Sequence, residues 1–115
     1  VLLLAALPVM AGDLTPSFPK ASGTCVEEPG EMRKHHHSFL KHQRDDTLRL
    51  GIRGAKHSLK DCVSCHAAKG ADGKAIPVNA EGQFCQSCHA YAAVAPDCFT
   101  CHATVPDGAA KTAAR

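Results

Sequence analysis

One pattern occurs three times in this chain: Cys62-Val63-Ser64-Cys65-His66, Cys85-Gln86-Ser87-Cys88-His89 and Cys98-Phe99-Thr100-Cys101-His102. Chance would supply about 0.03 such pentapeptides at this Cys and His content. Two thiols separated by two residues can form thioethers with the two vinyl groups of one porphyrin, while the imidazole of the next residue reaches the iron from the proximal side. Zinc explains the pattern less well, because two Cys-x-x-Cys pairs complete one tetrahedral site and nothing in that chemistry requires His after every pair. A thioredoxin-like dithiol uses one pair in a βαβ context, which this sequence lacks. The spacing therefore predicts three covalently attached c-type haems. Cys62, Cys65, Cys85, Cys88, Cys98 and Cys101 are the attachment thiols, and His66, His89 and His102 the proximal iron ligands.

The same three sites bear on what fills the interior. Of 115 residues, only 22 are Leu, Ile, Val or Phe, and 6 of these lie in the first ten positions. The hydrophobic fraction of 44% is inflated by 19 Ala and 7 Cys, and the chain has one Tyr and no Trp. A side-chain core cannot be built from so few large apolar groups against the entropy of ordering the chain. Three flat, mostly apolar porphyrins, each held by two covalent bonds and one iron bond, would supply both core and staples. The expected fold class is mainly α with extensive irregular structure, a small multihaem c-type cytochrome whose core is its haems. Only 8 residues separate His89 from Cys98, against 18 between His66 and Cys85, so the second and third haems should be close neighbours.

Charge excludes other roles. A formal net charge of +2 and an aromatic content of 4% offer neither the basic face nor the stacking platform of a nucleic-acid reader. Propionates would bring the loaded protein to about −1 oxidised and about −4 reduced.

Along the chain, residues 1–12 form an apolar run without an initiator Met, too short to span a bilayer, which reads as the remnant of a signal or anchor segment of an exported protein. Residues 13–24, with Pro16 and Pro19, read as an extended linker. Residues 25–105 form the haem domain, and 106–115 an Ala-rich flexible tail. Glu31 to about Leu50 is the one long helix, preceded by Pro29-Gly30 and followed by Gly51, with Met32, His35 or His36, Phe39 and Leu40 on one stripe.

Distal iron ligands must come from what remains. Cys25 is the odd cysteine; it can be a free thiol, a lipid attachment, an intermolecular disulfide, or an iron ligand or reactive sulfur site, and an oxidising compartment disfavours leaving it idle. Met32 serves either packing or ligation. His36 is the preferred member of the run His35-His36-His37. His57, five residues before Cys62, could fold back over a haem or stand in solvent.

Beyond the pentapeptides, Cys25-Val26, Met32-Arg33, His36, Leu40, Arg44-Asp45, Gly51-Ile52-Arg53, the run from His57 to His66, Tyr91-Ala92-Ala93-Val94 and Asp97-Cys98-Phe99 resemble the triheme cytochrome c subunit of the DsrMKJOP membrane complex, the DsrJ family. The resemblance runs from about Cys25 to Ala103; this chain departs from it in placing His37 beside His36. It implies a periplasmic cytochrome held at the cytoplasmic membrane by its N-terminal segment, alongside iron-sulfur and quinone-interacting membrane subunits, in organisms that oxidise sulfur or respire sulfate. It further implies one haem each of His/His, His/Met and His/Cys ligation, with Cys25 at the position of the ligand cysteine and Met32 and His36 where the family keeps a Met and a His.

The leading expectation is a non-catalytic electron-transfer subunit of such a complex. The alternative is an enzyme in which Cys25 and its haem transform a sulfur compound, and a third reading is a freestanding soluble multihaem carrier.

Overall fold

The computed structural model describes residues 16–21 and 23–108. The signal or anchor segment 1–12, positions 13–15 and 22 of the linker, and positions 109–115 of the tail lie outside the described residues. The described chain contains three α-helices, α1 (Pro29–Leu50), α2 (Leu59–His66) and α3 (Phe84–Tyr91), followed by a single 3₁₀ turn at Cys98–Thr100. Among the described residues there is no strand, only an isolated antiparallel bridge between Lys69 and Ala75. The architecture is the mainly helical, largely irregular one that the sequence implied.

The α1 helix starts two residues before Glu31. Pro29 occupies the first turn, where a missing N–H costs nothing, and the Glu28 carboxylate accepts the Glu31 N–H at 3.1 Å. Glu31 and Arg49 complement the dipole at the two ends. Gly51 stops the helix in a left-handed conformation (φ 69°), its N–H meeting the Thr47 carbonyl at 3.2 Å. Met32, His36, Phe39, Leu40, Gln43 and Thr47 form a half-buried stripe, while His35, His37 and His42 are exposed. No residue of α1 is fully buried.

The side-chain interior consists, among the described residues, of Val63 (4% exposed) and Val78 (0%). Val63 anchors α2. Val78 anchors the other half through its backbone: its N–H donates to the Thr104 carbonyl at 2.9 Å and its carbonyl accepts the Cys85 N–H at 3.1 Å. One residue thus ties the start of α3 to the segment that follows Cys98–His102. The loop between α2 and α3 is closed by the Ile76 N–H to Ala68 carbonyl bond at 2.8 Å and by Gly70 and Lys74 at 2.8 Å. After α3 the chain reverses at Ala93, a non-glycine residue at φ 53°, with the Val94 N–H returning to the His89 carbonyl at 2.9 Å. Lys60 and Asp107 pair at 2.9 Å, and Val105 and Pro106 are half-buried, so the chain stays docked on α2 beyond residue 105. Among the described residues, no helix is long and apolar enough to cross a membrane.

With only Val63 and Val78 buried among the described residues, the side chains offer little to melt as a cooperative unit. The polypeptide prepared without any attached group is expected to show no sharp calorimetric transition, its unfolding enthalpy falling far below the roughly 0.7 kcal/mol per residue of ordinary domains. A sharp transition of normal enthalpy would show that the side chains suffice.

Candidate haem-attachment sites

Each pentapeptide occupies a helical turn. Cys62–His66 ends α2, Cys85–His89 lies within α3, and Cys98–His102 winds through the 3₁₀ turn until the His102 N–H reaches the Cys98 carbonyl at 3.0 Å. Residues i, i+3 and i+4 of such a turn share a side, so each presents two thiols and one imidazole together. All seven cysteines are free of disulfides.

Electrostatics draws the three turns into one neighbourhood. Burial pushes the Cys85 thiol up to about 11, with further contributions from Cys62, Cys88 and Cys98. Burial also raises Cys62, helped by Asp61 and, more weakly, by Cys65 and Cys25. Thiols from all three pentapeptides, and Cys25 with them, therefore sense one another. Burial lowers His66 and holds it neutral, and burial together with His36 does the same to His89. Neutral imidazole is the form that binds a metal.

The imidazole contacts separate the candidates. The His36 and His89 rings lie with centres 5.9 Å apart and planes at 86°. Two imidazoles bound to one metal from opposite sides through bonds of about 2 Å hold their centres roughly 6 Å apart. His36 Nδ1 donates to the Met32 carbonyl at 2.9 Å, which leaves the lone pair on Nε2. His66 stacks on Phe84 at 3.6 Å and 23°, and its Nδ1 is buried without a protein partner. Phe18, from the proline-containing linker, meets Phe84 edge-on at 4.9 Å.

His57 is engaged elsewhere. Its Nε2 lies 2.8 Å from Glu27 Oε1, Lys56 Nζ lies 2.7 Å from the same oxygen, and its ring stacks on Phe39 at 4.5 Å. Lys56 first and His57 second hold the Glu27 carboxyl below its ordinary range. Only Nδ1 of His57 is left to meet a metal. Cys25, two residues before Glu27, is exposed. Met32 lies half-buried on the stripe that carries His36.

Two apolar grooves adjoin the turns. One, of about 280 Å³, is lined by Cys85, His89, Val94, Ala95, Pro96 and Phe99; the other, of about 160 Å³, by His102, Leu59, Val63, Val105 and Pro106. Tyr91 and Val94, exposed at 64% and 53%, leave apolar surface uncovered at the end of α3. Among the described residues no three His, Cys, Asp or Glu side chains converge on a point that could hold a metal ion directly. Paired thiols, neutral imidazoles, a buried imidazole nitrogen without a partner and apolar walls fit a haem attached through Cys and ligated by His.

Sequence reasoning missed Glu27, Phe84, Phe18 and the stacking of Phe39, already placed on the helix stripe, on His57. The one local signal was Phe84 standing directly before Cys85; the other three act across long sequence separations.

A doubled CXXCH motif family matches residues 57–94, which contain the first two pentapeptides. The chain is also similar to an Hdr-like menaquinol oxidoreductase cytochrome c subunit of Archaeoglobus fulgidus, 29% identical over 109 residues that cover 83% of this chain and 68% of that protein. No solved structure matches. The doubled motif indicates covalent haem c binding, and with this likeness it supports a multihaem cytochrome c.

Replacing Phe84 with Leu removes the stack on His66 but keeps apolar bulk. The loaded protein is expected to lose about 1 kcal/mol of stability in denaturant titration; unchanged stability would show the ring contact to be incidental.

Proposed function

We propose that this protein is a triheme c-type cytochrome of the DsrJ kind, an electron-transfer subunit on the periplasmic side of a membrane redox complex of sulfur metabolism. The observation that carries the reading is the arrangement of three helical turns, each presenting two thiols and an imidazole, with His36 set against His89. The printed name of the Archaeoglobus relative, a menaquinol oxidoreductase subunit, supports a membrane complex as the setting. Iron-sulfur and quinone-interacting membrane subunits are the partners the reading requires, and the N-terminal segment is its anchor.

Bound haem supplies one-electron carriage. The chain supplies everything else. Cys62 and Cys65, Cys85 and Cys88, and Cys98 and Cys101 fix the three groups, and His66, His89 and His102 ligate them. His36, its tautomer set by the Met32 carbonyl, would share the haem of the second pentapeptide with His89. Cys25, within electrostatic reach of Cys62, is the thiolate ligand on the side of the first pentapeptide, and Met32 is the thioether candidate. His57, held by Glu27, stays outside the ligand set. Ligands of three kinds would stagger the potentials, since thioether raises and bis-imidazole lowers them.

A second reading rests on the exposure of Cys25. A ligand thiol open to solvent is accessible to a small sulfur compound, as an enzymatic role would need.

Electron paramagnetic resonance of the oxidised protein tests the assignment. His36→Ala is expected to convert one haem from low to high spin, about a third of the signal, while Cys25→Ser abolishes a thiolate-type signal and leaves the others intact. Spectra unchanged by either substitution would overturn the ligand set. Sulfur turnover lost in Cys25→Ser while electron transfer persists would favour the enzyme.

A further inference from the structure

The end of α1 has no place in the haem arrangement. Phe39 stacks on His57, so the helix and the returning chain are level at that point, and eleven more residues carry α1 about 16 Å further before Gly51 turns it back. From 44 to 54 only Asp45 and Thr47 are half-buried; every other residue is exposed. The projection is nonetheless braced: Gln43 Nε2 donates to Thr47 Oγ1 at 3.1 Å, and Thr47 Oγ1 donates to the Ile52 carbonyl at 2.8 Å.

Its surface is both apolar and cationic. Leu48, Leu50 and Ile52 are 75%, 68% and 47% exposed, an arrangement water penalises. Within 44–54, Arg44, Arg49 and Arg53 stand against Asp45 and Asp46, a net +1, and Lys41 lies just before them. Arg44 pairs with Asp45 at 3.0 Å, and Arg49 and Lys41 add to the lowering of that carboxyl, so one of the two acids is already neutralised.

We propose that this prong, Arg44 to Gly54, docks on an anionic lipid surface. Leu48, Leu50 and Ile52 enter the boundary between headgroups and acyl chains, and Arg49 and Arg53 reach back to lipid phosphates. A protein partner suits the prong less well. Three aliphatic side chains fall well short of the roughly 1,000 Å² that a stable protein interface buries, and residues 40–56 contain no aromatic anchor of the kind that dominates such interfaces. Docking here would orient the molecule on the membrane whatever the number or ligation of its haems, so it stands apart from the electron-transfer reading.

The test uses the full-length, haem-loaded protein with vesicles of phosphatidylglycerol and phosphatidylcholine in equal amounts, and with vesicles of phosphatidylcholine alone. Residues 1–12 are the same in every sample, and binding through the prong is read as the protein sedimented with anionic vesicles in excess of that sedimented with neutral ones. Hydrogen exchange in residues 48–54 is expected to slow on the anionic vesicles and to be unchanged on the neutral ones. The variants Leu48→Ser/Leu50→Ser/Ile52→Ser and Arg49→Gln/Arg53→Gln should each lower sedimented protein about tenfold while keeping the wild-type haem spectrum. Equal sedimentation of variants and wild type, or unprotected amides at 48–54, overturns the proposal. Protection that appears only when other membrane proteins are added would assign the prong to a protein partner and overturns it equally.

Discussion

A helical turn presents residues i, i+3 and i+4 to one side, and the rest of the molecule depends on that geometry. It lets five consecutive residues present two thiols and an imidazole together, and the chain has such a turn in α2, in α3 and at Cys98–Thr100. The remaining polypeptide has little else to organise around. Val63 and Val78 are the buried side chains among the described residues, while Val94, 53% exposed, lines a groove with Cys85 and His89. Such surface makes sense as the wall of a haem site.

The electrostatics points the same way. Burial keeps His66 and His89 neutral and Cys62 and Cys85 protonated. Neutral imidazole is the form that binds a metal. The 5.9 Å approach of His36 to His89 adds a second imidazole beside the first, with the Met32 carbonyl fixing its tautomer. An electron carrier needs groups held rigidly and close together, and the Val78 backbone bonds to Cys85 and Thr104 provide that between the second and third turns.

Much of this was legible in the sequence because it is local. The pentapeptides name their own thiols and imidazoles, the shortage of large apolar residues announces a missing core, and three-and-four spacing narrows the His run to His35 or His36, of which the structure half-buries His36. The start of α1 was read two residues late because Pro29 was taken as punctuation, whereas its ring suits the first turn. What was not legible is non-local. Glu27 meets His57 across thirty residues, Phe18 reaches Phe84 from a segment read as linker, and Lys60 holds Asp107 at the edge of a segment expected to be mobile. No periodicity encodes such meetings. The prong at the end of α1 was hidden for a different reason: Leu48, Leu50 and Ile52 look like core residues until the structure shows nothing packed on them.

The central claim is that three covalently held haems take the place of a side-chain core. The most direct measurement is the intact mass of the chain matured by a c-type haem attachment system, with peptide mapping of each adduct. The account predicts three haems per chain, one each on Cys62/Cys65, Cys85/Cys88 and Cys98/Cys101. A mature, folded protein carrying haem on only one pair, or carrying zinc with all six thiols unmodified, would contradict it.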